Sequence, residues 1–179
     1  ETDPSIFVKF PVAGRENEYL VIWTTTPWTL PANVAVAVNP AFTYARVRAK
    51  KGDAEEILWV ADELIEPVLK MGRYQDYTVL ERVSGSDLVG TEYTSPLAGC
   101  VPHQAEIRHR VVAADYVALE NTGLVHIAPG HGWDDYLVGI REGLEAFCPV
   151  DSGGCFTPAA GAFADMYVRD ANDVIIDAL

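Results

Sequence analysis

Two stretches of the sequence concentrate groups that could do chemistry. The first is Trp23-Thr24-Thr25-Thr26-Pro27-Trp28-Thr29-Leu30-Pro31-Ala32-Asn33, with four threonines within six residues. It follows an apolar run, so several hydroxyls and backbone N–H groups collect at a strand end, held by two prolines that fix φ. Such a loop can orient a polar ligand, but on residue types alone it reads more readily as a threonine-rich edge strand entering a turn. The second stretch is Thr122-Gly123-Leu124-Val125-His126-Ile127-Ala128-Pro129-Gly130-His131-Gly132-Trp133-Asp134-Asp135-Tyr136. Here a strand carrying His126 runs into a Pro-Gly-x-Gly turn, and a helix opens with two carboxylates in its first turn. That arrangement suits a strand-to-helix active site. It also suits a half-buried histidine followed by acids that complement a helix dipole, and the pattern alone does not separate Asp134 from Asp135.

Other chemistries lack a local signature. The spacing His126-x4-His131-x3-Asp135 matches no standard zinc pattern, nor do Cys100, His103 and His109. No Walker or dinucleotide-binding glycine loop occurs, and no Ser/His/Asp or Cys/His arrangement stands out. The charge balance is informative as well. Across 179 residues, 26 acids oppose 13 bases for a net charge of −13, and residues 111–179 hold eleven acids against Arg141 and Arg169 alone. An autonomous polyanion binder needs a basic face, so whole tRNA or DNA is expected to bind this chain weakly.

The elements that must position these residues are mostly short strands. Ile6–Phe10, Tyr19–Trp23, Val34–Val38, Phe42–Ala49, Ile57–Val60, Tyr77–Val83, Arg108–Ala114 and Gly123–Ala128 are rich in β-branched, aromatic or apolar residues, and Pro, Gly and Asn punctuate the run. Helices are predicted over Ala61–Met71, over Trp133–Leu144 with Trp133, Tyr136, Leu137, Ile140 and Leu144 as an apolar stripe, and from about Asp170 onward. Without a βαβ rhythm, the expected class is α+β, mainly β: a mixed, barrel-like core of short strands with a few peripheral helices. Its length fits a single domain spanning 1–179, large enough to bury roughly 70% of its unfolded surface. No run approaches the ~20 apolar residues that span a bilayer. Three cysteines without CxxC spacing suggest buried thiols in a reducing compartment. The expectation is therefore a cytoplasmic location, with the chain a piece excised from a larger protein.

Taken together, the two stretches resemble the editing domain inserted into the catalytic domain of isoleucyl-tRNA synthetases. Trp23 to Pro31 match that family's Trp-Thr-Thr-Thr-Pro-Trp-Thr-Leu-Pro segment. Thr122 to Tyr136 match its Thr-Gly-x-Val-His-x-Ala-Pro-Gly-His-Gly-x-x-Asp-Tyr segment, about 100 residues on, and Ala114-Asp115-Tyr116-Val117 between them is also similar. Valyl and leucyl relatives carry Arg where Thr26 stands and an acid where Trp28 stands, which favours the isoleucyl branch. Asn121 replaces the family's usual Gly, and Asn tolerates a left-handed backbone well enough for the turn to survive.

The resemblance implies an aminoacyl-tRNA deacylase that removes valine from tRNA(Ile), and valyl-adenylate as a further substrate, by water attack on a positioned ester. Thr24, Thr25 and Thr26 would hold the 3′-terminal adenosine and the ester and order the water, with Thr29, Asn33 and Trp28 as further substrate-binding candidates. His126 would face the amino-acid side chain and exclude isoleucine, and Asp135 would bind the α-ammonium. The resemblance implies no cofactor or metal in this domain, since ATP and Mg belong to the synthetic site elsewhere in a full-length synthetase, and no membrane partner. Neither His-x-Gly-His nor Lys-Met-Ser-Lys-Ser occurs, so the chain alone should not aminoacylate. The alternatives are an editing domain of valyl or leucyl type, or a non-catalytic module that clamps the tRNA acceptor end.

Overall fold

The computed structural model describes residues 4–179. Among the described residues, eight strands form two mixed sheets. The larger contains β1 (Ile6–Pro11), β2 (Glu18–Thr24), β4 (Thr43–Lys51), β5 (Ala54–Ala61) and β6 (Asp76–Ser84) in the order β1-β2-β5-β4-β6, and the smaller has β3 (Ala35–Val38) between β7 (Arg110–Ala113) and β8 (Leu124–Ile127). Four α-helices follow or intervene: α1 (Ile65–Met71), α2 (Gly85–Leu88), α3 (Trp133–Glu142) and α4 (Ala171–Ala178). The α+β reading and all eight expected strands hold, but the strands lie in two sheets and close no barrel. Ala61 ends β5 instead of opening a helix, and a 3-10 turn at Asp62–Leu64 precedes α1. No helix among the described residues is long and apolar enough to cross a membrane.

Burial follows the two-residue period of strands. Leu20 and Ile22 of β2 enter the main core with Phe10, Val36, Tyr44, Phe156, Phe163 and Ile175, whereas Val21 between them joins Val47, Leu58 and Val60 beneath α1. The smaller sheet divides likewise. Leu124 belongs to the main core, while Ile127 packs with Ala35, Ala37, Val112 and Val138, so α3 covers that sheet's outer face.

Two expectations change. Trp133, Tyr136, Leu137 and Ile140 do not face the core: Trp133 is 71% and Ile140 65% exposed, and the helix is seated instead through Val138 and Gly139. A Cβ on Gly139 would lie 3.1 Å from Pro129, so the glycine lets α3 sit close against the turn that precedes it. The cysteines are unpaired, but Cys148 is exposed and Cys100 and Cys155 are half-buried, not the buried thiols expected from composition.

The turn into β8 does form as Asn121 suggested. Asn121 (φ 56°) and Gly123 (φ 76°) are both left-handed, and the buried Tyr44 hydroxyl donates to Gly123 C=O at 2.6 Å. A Cβ on Gly123 would lie 2.5 Å from that of Ala61. Gly123→Ala should therefore cost about 1–3 kcal/mol of stability through overpacking and an unfavourable φ, read as a lowered urea midpoint. An unchanged midpoint would show that this turn is not held against β5.

Candidate active site

A cavity of about 440 Å³ opens where the end of β2 meets β8, the segment around Tyr116–Asn121 and the start of α3. Its walls include Thr24, Thr25, Thr26 and Thr29 from the first stretch and His126, His131 and Asp135 from the second. Each is placed by local structure. Thr24 ends β2 and is buried, and its Oγ1 accepts the Thr26 N–H at 3.0 Å, a side-chain turn that bends the chain and leaves Thr25 and Thr26 exposed at the cavity. Pro27 then opens a 3-10 helix, Pro27–Ala32, whose Trp28 N–H is held by Asn172 Oδ1 of α4 at 3.0 Å.

His126 stands on β8 directly opposite Val36 of β3. Both its ring nitrogens are engaged, Nδ1 by the Asn33 amide at 2.8 Å and Nε2 by Thr29 Oγ1 at 2.9 Å. Burial, with a smaller contribution from nearby His131, pushes its pKa down to about 4, so the imidazole is neutral at physiological pH. It can shape a wall but has no free nitrogen to act as a base. Thr29 in turn donates its hydroxyl to Thr26 C=O at 2.8 Å.

Asp135 separates from Asp134 here. Its Oδ2 accepts the Ala128 N–H at 3.0 Å and its Oδ1 the Tyr116 hydroxyl at 3.3 Å. Burial raises its pKa, and these two donors partly hold it down. The Tyr116 phenol is itself pushed up by burial and by the Asp135 carboxylate. Among the described residues no Lys or Arg lines the cavity, whereas Asp135 and Glu120 do. An ionised Asp135 is therefore a receptor for a cation and not for a phosphate.

Six of the eight sequence candidates thus meet at one cavity: Thr24, Thr25, Thr26, Thr29, His126 and Asp135. Trp28 and Asn33 stand behind the wall. Trp28 packs edge-to-face on His131, with ring centroids 5.2 Å apart, and Asn33 is fully buried. Tyr116 and His131, both within the segments that resemble the family, line the cavity as well. His131 has a buried Nε2 with no hydrogen-bond partner among the described residues, and burial lowers its pKa. Only the fold reveals that Tyr116 reaches Asp135. No group of three or more His, Cys, Asp or Glu side chains among the described residues is arranged to hold a metal ion.

Comparison with known proteins places this geometry in context. The chain is 89% identical over 179 residues to isoleucine–tRNA ligase of Methanoculleus marisnigri, and 65% identical over 181 residues to that of Methanocorpusculum labreanum. Each alignment covers all of this chain and 17% of the relative, so the chain spans about a sixth of the length of the curated proteins it matches. No family model matches. Among solved structures, the CP1 domain of a leucyl-tRNA synthetase (GlLeuRS-CP1) superposes with a TM-score of 0.70 over 97% of this chain and 94% of that one, at 15% identity. The editing domain of the P. knowlesi cytosolic leucyl-tRNA synthetase does so with a TM-score of 0.60 over 78% and 62%, at 16% identity. At such identities the likeness concerns the fold.

Because the Tyr116 hydroxyl stabilises the ionised carboxylate, Tyr116→Phe should raise the pKa of Asp135 above its value in the parent chain. A carboxyl-carbon NMR titration reads this directly. An unmoved or lowered pKa would mean that the two side chains do not interact in solution.

Proposed function

We propose, for a chain that corresponds over its whole length to a segment of isoleucine–tRNA ligases and carries the fold of a synthetase editing domain, that its cavity hydrolyses valyl-tRNA(Ile). The supporting observation is the pairing within one cavity of a threonine-rich strand end and a half-buried carboxylate, with neutral His126 on the same wall. One methylene discriminates by only about 1–3 kcal/mol in an apolar pocket, so a synthetic site for isoleucine admits valine and a second site must destroy the product. The linkage to be cut is an aminoacyl ester. Its carbonyl is already reactive, so positioning the ester and a water and stabilising the oxyanion can suffice without a strong base.

In this reading Asp135 takes the α-ammonium, and Thr24, Thr25 and Thr26 hold the terminal ribose and order the attacking water. Water adds to the carbonyl carbon, the oxyanion collapses, and the ribose oxygen leaves with a proton that originates on that water. His126 occupies the space that the extra methylene of isoleucine would need. The lack of Lys or Arg on the wall favours the uncharged ribose ester over valyl-adenylate, whose phosphate would sit among carboxylates. Valyl-adenylate is accordingly the secondary substrate, tRNA(Ile) and the remainder of the synthetase are the partners, and the working location is the cytoplasm.

Truncating one member of a desolvated charge pair costs about 2–5 kcal/mol. Asp135→Asn, placed in a full-length ligase, should therefore reduce kcat/KM for valyl-tRNA(Ile) deacylation by at least about thirtyfold. Unchanged hydrolysis removes Asp135 from the mechanism. His126→Ala should begin to deacylate isoleucyl-tRNA(Ile), and continued sparing of isoleucine contradicts the steric role. The rate should fall on the acid side as Asp135 is protonated, at a pH above that of an ordinary aspartate because its pKa is raised. A panel of mischarged tRNAs, threonine on tRNA(Val) among them, tests the valyl- and leucyl-type alternatives, and absence of all hydrolysis would leave only an acceptor-end clamp.

A further inference from the structure

We propose that Tyr93, which belongs to neither threonine- nor histidine-bearing segment, is a positioning residue that acts through Asn33 to hold His126 in one tautomer, with its proton on Nε2. The polar contacts admit a single direction of donation. Asn33 Oδ1 can only accept, and it takes the Tyr93 hydroxyl at 2.6 Å. Its amide nitrogen can only donate, and it reaches Ala35 C=O at 3.0 Å and His126 Nδ1 at 2.8 Å. Nδ1 must then present its lone pair, so the ring proton resides on Nε2 and is donated to Thr29 Oγ1, whose own proton goes to Thr26 C=O. Flipping the Asn33 amide would set its oxygen against Ala35 C=O and leave the Tyr93 proton without its acceptor. Protonating Nδ1 would set two donors face to face.

Tyr93 is itself immobile: it is 3% exposed, with its ring packed on Phe10 and on His109 at centroid distances of 5.2 and 5.1 Å. The Asn33 main chain is pinned too, its C=O accepting from Gln104 Nε2 at 2.9 Å. A rigid core thereby dictates the hydrogen-bonding character of the cavity wall. Thr29, committed to accept from His126 and to donate to Thr26, has no proton left for a ligand. The bearing on discrimination rests on the editing reading, whereas the tautomer does not.

The test is imidazole ¹⁵N NMR on the histidine-labelled chain without substrate, with His126 assigned by the signal lost in His126→Gln. The parent should show an Nε2–H imidazole with unprotonated Nδ1. An Nδ1–H signal overturns the proposal before any variant of the relay is made. Tyr93→Phe, which keeps the ring but leaves the Asn33 amide oriented by Ala35 C=O alone, should bring in a minor Nδ1–H population, and a single unchanged tautomer overturns the role of Tyr93. Asn33→Asp, which can only accept, should move the proton to Nδ1, and persistence on Nε2 overturns the relay. In a full-length ligase, Tyr93→Phe should raise the ratio of isoleucyl- to valyl-tRNA(Ile) hydrolysis several-fold. If the tautomer shifts but that ratio does not, the positioning role stands and the editing reading of the wall fails.

Discussion

The antiparallel pairing of β3 with β8 is the constraint on which the site depends. Asn33 and His126 are far apart in sequence, yet Val36 is opposite His126 and Ala35 opposite Ile127, and Val34 N–H adds a bond to Ile127 C=O at 2.9 Å. That register brings the end of the threonine loop onto the histidine. A slip of one residue would turn His126 toward the α3 side and Ile127 into the cavity. Such a slip is opposed by burial on both faces of β8, because Leu124 belongs to the main core while Ile127 packs beneath α3. The β3 side is equally restrictive: Ala35, Val36, Ala37 and Val38 are all fully buried.

Within that frame, one hydrogen bond orients α3. Asp135 must face inward to accept the Ala128 N–H, and at about 100° per residue this rotation sends Trp133, Tyr136, Leu137 and Ile140 away from the body. The apolar stripe is the stronger periodic signal, but the close seat at Gly139 and the inward carboxylate determine the outcome. An amphipathic pattern locates a helix more reliably than it orients one where a polar anchor competes.

The strands were legible because their β-branched runs are short and bounded by Pro, Gly and Asn, as at Asn39-Pro40 and Gly52-Asp53. The division into two sheets was not, since β2 pairs in parallel with β5 and β3 with β7, contacts between distant segments that no local pattern encodes. Six candidate residues reached the cavity because they sit within two contiguous stretches. Asn33 was visible as a polar residue at the end of its loop, but its burial behind the wall, and its link to Tyr93, exist only in the folded molecule. The same holds for Tyr116 and Asp135, which meet across 19 residues through side chains whose types predict nothing about each other.

The acidity of the chain takes on a narrower meaning. It argues against autonomous grip on a polyanion, and the cavity repeats that logic locally, with carboxylates and no lysine or arginine on its wall. A site that recognises a terminal ribose ester and an ammonium needs no basic face, provided the rest of a larger protein delivers the acceptor end. The most direct measurement of this account replaces the α-amino group of valine by hydroxyl on tRNA(Ile) and compares deacylation with that of the amino ester, in the parent ligase and in Asp135→Asn. The account predicts a large preference for the ammonium-bearing ester in the parent that largely disappears in the variant, the coupling expected of a direct charge pair. An equal preference in both proteins would contradict it.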